Sequence, residues 1–235
     1  MIEVSNLTVR YGGVTSLDEL TVTFEAGISG LIGPNGAGKT TLFNVLSGFI
    51  RPASGSVRAF GDDVLRMPHY RRARWGMRRT FQTEQAIADL TVRDNVAMIT
   101  SPLRGAPRRE DVLAAIDFVG LGAPPAAKVG SLSAGQRRLV EVARAVAGKP
   151  RLILLDEPAA GLPDAETAHL TSVIRAIPGY TGALTILVDH DMSLVSAVCG
   201  TTAVLDFGRL IAAGPTASVL RDSRVTRAYL GTADI

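Results

Sequence analysis

The sequence predicts an α/β protein: a mostly parallel sheet with helices, an antiparallel β-rich N-terminal part and a mostly helical insertion. Three observations carry that expectation. A short apolar run at residues 28–32 enters a glycine-rich loop, which leads into Leu42, Val45, Leu46 and Phe49, spaced i, i+3, i+4 and i+7 like one face of a helix. A second apolar run, residues 152–155, ends in two adjacent carboxylates, Asp156 and Glu157. Beyond residue 150, strand-like runs at 152–155, 184–188 and 202–206 alternate with a helical pattern over about 164–176, the rhythm of parallel strands joined by crossover helices.

Each remaining stretch has its own signal. Ile2, Val4, Leu7 and Val9, then Leu20, Val22 and Phe24, alternate with polar residues, so two half-buried antiparallel strands are expected, joined through Tyr11-Gly12-Gly13. Residues 51–61 carry Pro52, Ser54, Gly55 and Gly61 around Val57 and Phe60, a turn-rich β element. From about residue 90 to 148 the pattern becomes Ala-rich and helical, broken by Pro102, Pro107, Pro124 and Pro125. The division expected is one domain in which residues 1–82 and 150–235 form the catalytic core with a β-subdomain, and residues 83–149 an inserted helical subdomain.

Composition excludes several classes. The 235 residues are enough for a substantial core, and no apolar stretch approaches the ~18 residues that span a bilayer. Met1 leads into an alternating strand rather than a signal peptide. A single Cys199 rules out an internal disulfide and a cysteine metal cluster, which fits a reducing compartment, with the cytoplasm as the default. The net charge of +3 is small, and no nucleic-acid partner is expected from it. The basic run Arg71, Arg72, Arg74, Arg78 and Arg79 around Trp75 reads as a solvated helix face with one buried Trp.

Gly33-Pro34-Asn35-Gly36-Ala37-Gly38-Lys39-Thr40, followed by Thr41, fits the phosphate-binding pattern G-x-x-x-x-G-K-[ST]. Its glycines let backbone N–H groups turn toward phosphate oxygens, Lys39 reaches the terminal phosphates, and the Thr40 hydroxyl is a Mg²⁺ ligand. The strand before it and the helix after it make an anion site at a helix N-terminus. A nucleoside triphosphate is the expected ligand. The apolar strand before Asp156 reads as buried on both faces, and its C-terminal end is where α/β sheets place ligands. Asp156 is thus a candidate for the Mg²⁺ shell, and Glu157 for orienting or deprotonating the attacking water.

Leu132-Ser133-Ala134-Gly135-Gln136 resembles the L-S-G-G-Q signature of ATP-binding cassette (ABC) ATPases. Alone it would be an ordinary helix N-cap; between a phosphate loop and an Asp-Glu strand it is specific. The resemblance extends over essentially the whole chain. It implies that Tyr11 stacks on the adenine, that Gln82 senses Mg²⁺ or water from the lid loop, and that His190 is the switch histidine at the γ-phosphate. It also implies that Ser133, Gly135 and Gln136 contact the γ-phosphate held by another subunit, so that ATP and Mg²⁺ work at the interface of a homodimer or of a heterodimer with a second ABC ATPase. Ala134 departs from the usual first glycine, and Pro163 from the Asp or Asn usual after Leu162. His69 and His169 have no such support and read as surface residues.

Within that family the stretches LIGPNGAGKTTLFNVLS at 31–47, RTFQ at 79–82, LTVRDNV at 90–96, DEPAAGL at 156–162 and Ala228-Tyr229-Leu230-Gly231 resemble the ATPase subunits of branched-chain amino-acid importers. The resemblance implies a prokaryotic peripheral subunit on the cytoplasmic face of the cell membrane. It would drive integral-membrane permease subunits, while a separate solute-binding protein selects the substrate. The competing expectation is a soluble ABC ATPase acting on nucleic acid or on assembly of a protein complex. A phosphate-loop kinase would leave the signature stretch unexplained.

Overall fold

The computed structural model describes residues 1–98 and 108–230, and the expected breaks at Pro102 and Pro107, like Gly231, lie outside them. The chain divides into two compact units, one made of Met1–Ala73 with Leu184–Ile235, the other of Arg74–Ala183.

In the first unit, β1 (Ile2–Tyr11) and β2 (Val14–Phe24) form the expected antiparallel pair, with Ile2 opposite Phe24 and Tyr11 opposite Val14. Ile2, Val4, Leu7, Val9, Leu20, Val22 and Phe24 are all buried, as the alternation requires. The next strand, β3 (Ile28–Ile32), is buried at every residue and runs into the glycine loop and α1 (Lys39–Ser47). Then β4 (Ser54–Ala59) and β5 (Asp62–Asp63) complete an antiparallel sheet in the order β2-β1-β4-β5, and α2 (His69–Trp75) leads out of the unit.

Helix α1 buries Leu42, Val45 and Leu46 but not Phe49. Gly48 adopts φ 82° and its N–H bonds the Val45 carbonyl, so the helix stops before the periodicity does; Phe49 stands 58% exposed with its ring 6.5 Å from that of His69. Arg72 adds to the last turn of α1: its guanidinium donates to the oxygens of Val45, which already accepts from Gly48, and of Leu46, while its Nε donates to Met67. A cation at a helix C-terminus also complements the dipole. Burial pulls the Arg72 pKa down, opposed by nearby Asp63.

The basic run is therefore only in part a solvated face, with Arg71 and Arg74 exposed. Arg72 and Arg78 are buried, and Trp75 is only half-buried, with the Arg151 guanidinium 4.4 Å above its ring. The spacing of these arginines carries no sign of the carbonyls and rings that they meet.

The second unit begins with β6 (Met77–Arg79) and continues through α3 (Val92–Ala97), α4 (Arg109–Phe118) and α5 (Ala134–Val146), the helices expected of the insertion. The buried β7 (Leu152–Asp156) pairs in parallel with β6, Arg79 opposite Leu154. Helix α6 (Asp164–Thr181) runs five residues beyond the expected 176 and passes through Pro178. Pro178 lies in the last turn, Ile177 beside it is buried, and Gly182 at φ 69° ends the helix instead.

The chain returns to the first unit with β8 (Leu184–Val188), α7 (Met192–Val198) and β9 (Thr201–Asp206). A turn at Phe207 and Gly208, with φ 43° and 78°, then opens β10 (Arg209–Pro215), a strand the sequence analysis did not anticipate. Both positive angles suit a two-residue hairpin. The strand order here is β10-β9-β3-β8, with β3 parallel to β8 and β9, and β10 antiparallel to β9. Two short helices, α8 (Thr216–Val219) and α9 (Ser223–Leu230), follow. Among the described residues no helix is long and apolar enough to cross a membrane.

Candidate functional site

The phosphate loop lies between β3 and α1 in the first unit. Gly33 has φ 149°, and a Cβ there would lie 2.1 Å from the Leu205 carbonyl; Gly38 has φ 104°, and a Cβ would meet a Leu17 methyl at 2.6 Å. Both glycines are required by conformation and by crowding at once. Lys39 is 6% exposed, and its ammonium donates to the carbonyls of Gly33 at 2.6 Å and Pro34 at 2.9 Å. The cation is thus already centred over the loop, held by carbonyls that an anionic phosphate would outcompete. Thr40 leaves its side chain exposed, whereas the Thr41 hydroxyl shares a 2.7 Å hydrogen bond with Ser16 of β2. Asn35 and Gly36 are exposed at the loop crest, and Ala37 is buried under it, donating its N–H to the Pro34 carbonyl at 3.1 Å.

One contact on the loop was not foreseen. The Gly33 N–H donates to the Tyr229 hydroxyl at 2.7 Å, across 196 residues of sequence. Burial raises the Tyr229 pKa, opposed by the bond from the Gly33 N–H. Elsewhere in this unit Tyr11 is 48% exposed at the end of β1, and His190 is exposed just after β8. The capping role next to His190 belongs to Asp191, whose carboxylate accepts from the N–H groups of Ser193 and Leu194.

The second unit assembles the carboxylates. Asp156, 5% exposed, ends β7 and accepts from Arg79 Nη2 at 2.8 Å, while its own N–H donates to the Thr80 hydroxyl. Glu157 follows at φ 47°, a left-handed conformation that a non-glycine residue adopts only where its surroundings enforce it. Its Oε2 accepts from the Gln82 amide at 2.8 Å. Arg79 and Gln82, three residues apart, thus each hold one of two adjacent carboxylates. The sequence singles out Gln82 for Mg²⁺ or water rather than for this contact, and it singles out Arg79 only within the basic run and the RTFQ stretch, because nothing in a buried Arg-Asp pair 77 positions apart shows in either local pattern.

The Gln82 segment is itself held by α5. Arg138 Nη1 donates to the Phe81 carbonyl at 3.1 Å and to Glu141 at 2.7 Å, and its Nη2 reaches the Gln82 carbonyl at 3.3 Å. Glu141, 1% exposed, accepts from the Gln85 N–H at 2.6 Å. At the start of α5, Ser133 is the N-cap: its hydroxyl accepts from the Gln136 N–H and the Gln136 side chain accepts from the Ser133 N–H, a reciprocal capping box. Leu139, Val140, Ala143, Val146 and Ala147 are buried, as the helix pattern predicts. Ala134 is exposed in the first turn, and the proline at 163 precedes α6 without a side-chain cap bond. His69 and His169 are exposed, the latter with its Nε2 3.0 Å from the Val119 carbonyl.

A profile of the ABC transporter family matches residues 17–160. The chain belongs to that family. It is 33% identical to the high-affinity branched-chain amino acid transport ATP-binding protein BraF of Pseudomonas aeruginosa, over 99% of this chain and 98% of that one. The protein LivG of Escherichia coli K12, of the same description, is 31% identical over the same shares. Among solved structures, the ADP conformation of MJ1267, an ATP-binding cassette of an ABC transporter, superposes with a TM-score of 0.87 at 27% identity, covering 98% of both chains. The expected α/β cassette, with one antiparallel and one mostly parallel sheet, is the fold observed.

Proposed function

We propose that this chain is the ATP-hydrolysing subunit of an importer for branched-chain or closely related amino acids. The observation that carries the reading is end-to-end similarity to BraF and LivG, two branched-chain amino acid transport ATP-binding proteins, rather than similarity confined to the nucleotide motifs. In this reading it docks on integral-membrane permease subunits at the cytoplasmic face of a prokaryotic membrane, pairs with itself or with a second ABC ATPase, and depends on a separate solute-binding protein for substrate choice. The helical stretch 83–149 is the arm carrying the signature, and residues 1–82 and 150–235 form the core.

The residue roles follow from the family resemblance, each with a chemistry that suits it. Residues 33–41 cradle the triphosphate through backbone N–H groups and Lys39, and Tyr11 stacks on the base. Glu157 accepts a proton from the attacking water, Gln82 holds that carboxylate in place, and His190 bonds a γ-phosphate oxygen. Ser133, Gly135 and Gln136 serve the nucleotide of the other copy. Mg²⁺ suits the donors available: the Thr40 hydroxyl, the Asp156 carboxylate and the Gln82 amide oxygen are hard oxygen ligands. Its contribution when bound is to neutralise charge on the phosphates.

Isolation from native membranes in mild detergent is the direct test. Recovery with multi-spanning permease subunits, and branched-chain amino-acid stimulation of ATPase activity in vesicles only when a solute-binding protein is added, is the expected result. Recovery solely in soluble complexes with nucleic acid would overturn the importer in favour of the alternative.

A further inference from the structure

The first turns of α5 and α6 meet through one carboxylate. Glu166, in the opening turn of α6, accepts a 2.9 Å hydrogen bond from the Ser133 hydroxyl, the same hydroxyl that caps α5. The carboxylate continues across Gly135: a Cβ on that glycine would lie 2.4 Å from both Glu166 Cδ and Oε2. Gly135 is helical and not in the left-handed region, so its bareness is explained by close approach rather than by backbone angle. A hydroxyl donor and an uncovered stretch of backbone at a positive helix end are what an anion needs, and here both are taken by an anion of the same chain.

We propose that Glu166 is a built-in competitor for the signature: its carboxylate occupies the place that the γ-phosphate of a second copy's ATP must take, and pairing of the copies displaces it. This rests on the reading that Ser133 and Gly135 serve nucleotide across copies. A carboxylate and a terminal phosphate present similar oxygen acceptors, but two anions cannot share one hydroxyl and one helix end without repulsion. Glu166 is half-buried at the end of a flexible side chain, so it can swing clear. Until ATP arrives it keeps Ser133 oriented and the helix end neutralised; once ATP is there, its departure is part of the cost of closing.

The test uses the full-length chain carrying Glu157→Gln, which should bind ATP without consuming it. Sedimentation is followed as MgATP is raised, with and without Glu166→Gln or Glu166→Ala. Both second changes should lower the ATP concentration for half-maximal pairing by about three- to tenfold, the scale of one exposed charge-assisted hydrogen bond. The isosteric Gln should act as strongly as Ala, and the shift should shrink at high salt, which loss of a structural contact would not produce. An unchanged or raised midpoint in a parent that does pair overturns the role of Glu166 alone. A parent that stays monomeric at saturating MgATP overturns the shared-site reading, and the competitor with it. Thermal melting of each variant confirms that it is folded.

Discussion

In the loop at residues 33–41 the groups offered to an anion are backbone N–H groups and one ammonium, shaped by glycines that crowd against Leu205 and Leu17. At the ends of β7, α5 and α6 the groups are side chains, and each is held by another side chain or by backbone far away: Asp156 by Arg79, Glu157 by Gln82, Ser133 by Glu166, and the Gln82 segment by Arg138 and Glu141. On the proposed reading the first region is a receptor whose ammonium exchanges carbonyl contacts for phosphate, and the second is a set of side-chain pairs that change partner when a charge arrives. Recognition is then built into backbone geometry, and switching into side-chain pairs.

That contrast can be broken. Glu157→Gln should keep ATP affinity and lower turnover by about 10²- to 10⁴-fold, the scale of general-base catalysis, measured by steady-state phosphate release and equilibrium nucleotide binding. Near-normal turnover would remove Glu157 from the chemistry. Glu141→Ala should cost about 3–5 kcal/mol in denaturant unfolding, since it strands Arg138 in a buried site, and hydrogen exchange should rise in residues 81–85. A loss under about 1 kcal/mol would mean that this network holds nothing.

Lys39→Ala should weaken ATP binding by about 10- to 100-fold, as expected for loss of charge-assisted hydrogen bonds, with little loss of stability. Unchanged affinity would contradict the receptor description of the loop. The smallest effect concerns Cys199, which is buried beside Gly30 and whose thiol is pushed up to about 12 by burial and then by Asp189. It should stay unmodified by a disulfide reagent at pH 8 in the folded protein and react at once in denaturant; fast reaction of the native protein would show that the β3 region opens locally.

The same contrast decides what the sequence shows. The loop at 33–40, β3, β7 and the capping box at Ser133 are legible because their determinants are neighbours: a glycine spacing, an apolar run, a Ser three residues from a Gln. Arg79, Arg138, Glu141 and Glu166 are not, since each acquires its meaning from a residue or backbone group up to 77 positions away. Periodicity also overreaches at Phe49, where it does not register the helix-ending Gly48, and falls short at α6, which continues through a proline in its last turn. Strand β10 goes unseen because the turn before it uses Phe207, a residue with no turn preference, at positive φ.

The 2.7 Å bond from the Gly33 N–H to Tyr229 ties the opening of the phosphate loop to α9, the last of the described helices. During synthesis the loop would be spelled out early and completed late. A ribosome must add nearly two hundred more residues before the first glycine gains its partner, so a growing chain cannot make this contact until Tyr229 has emerged.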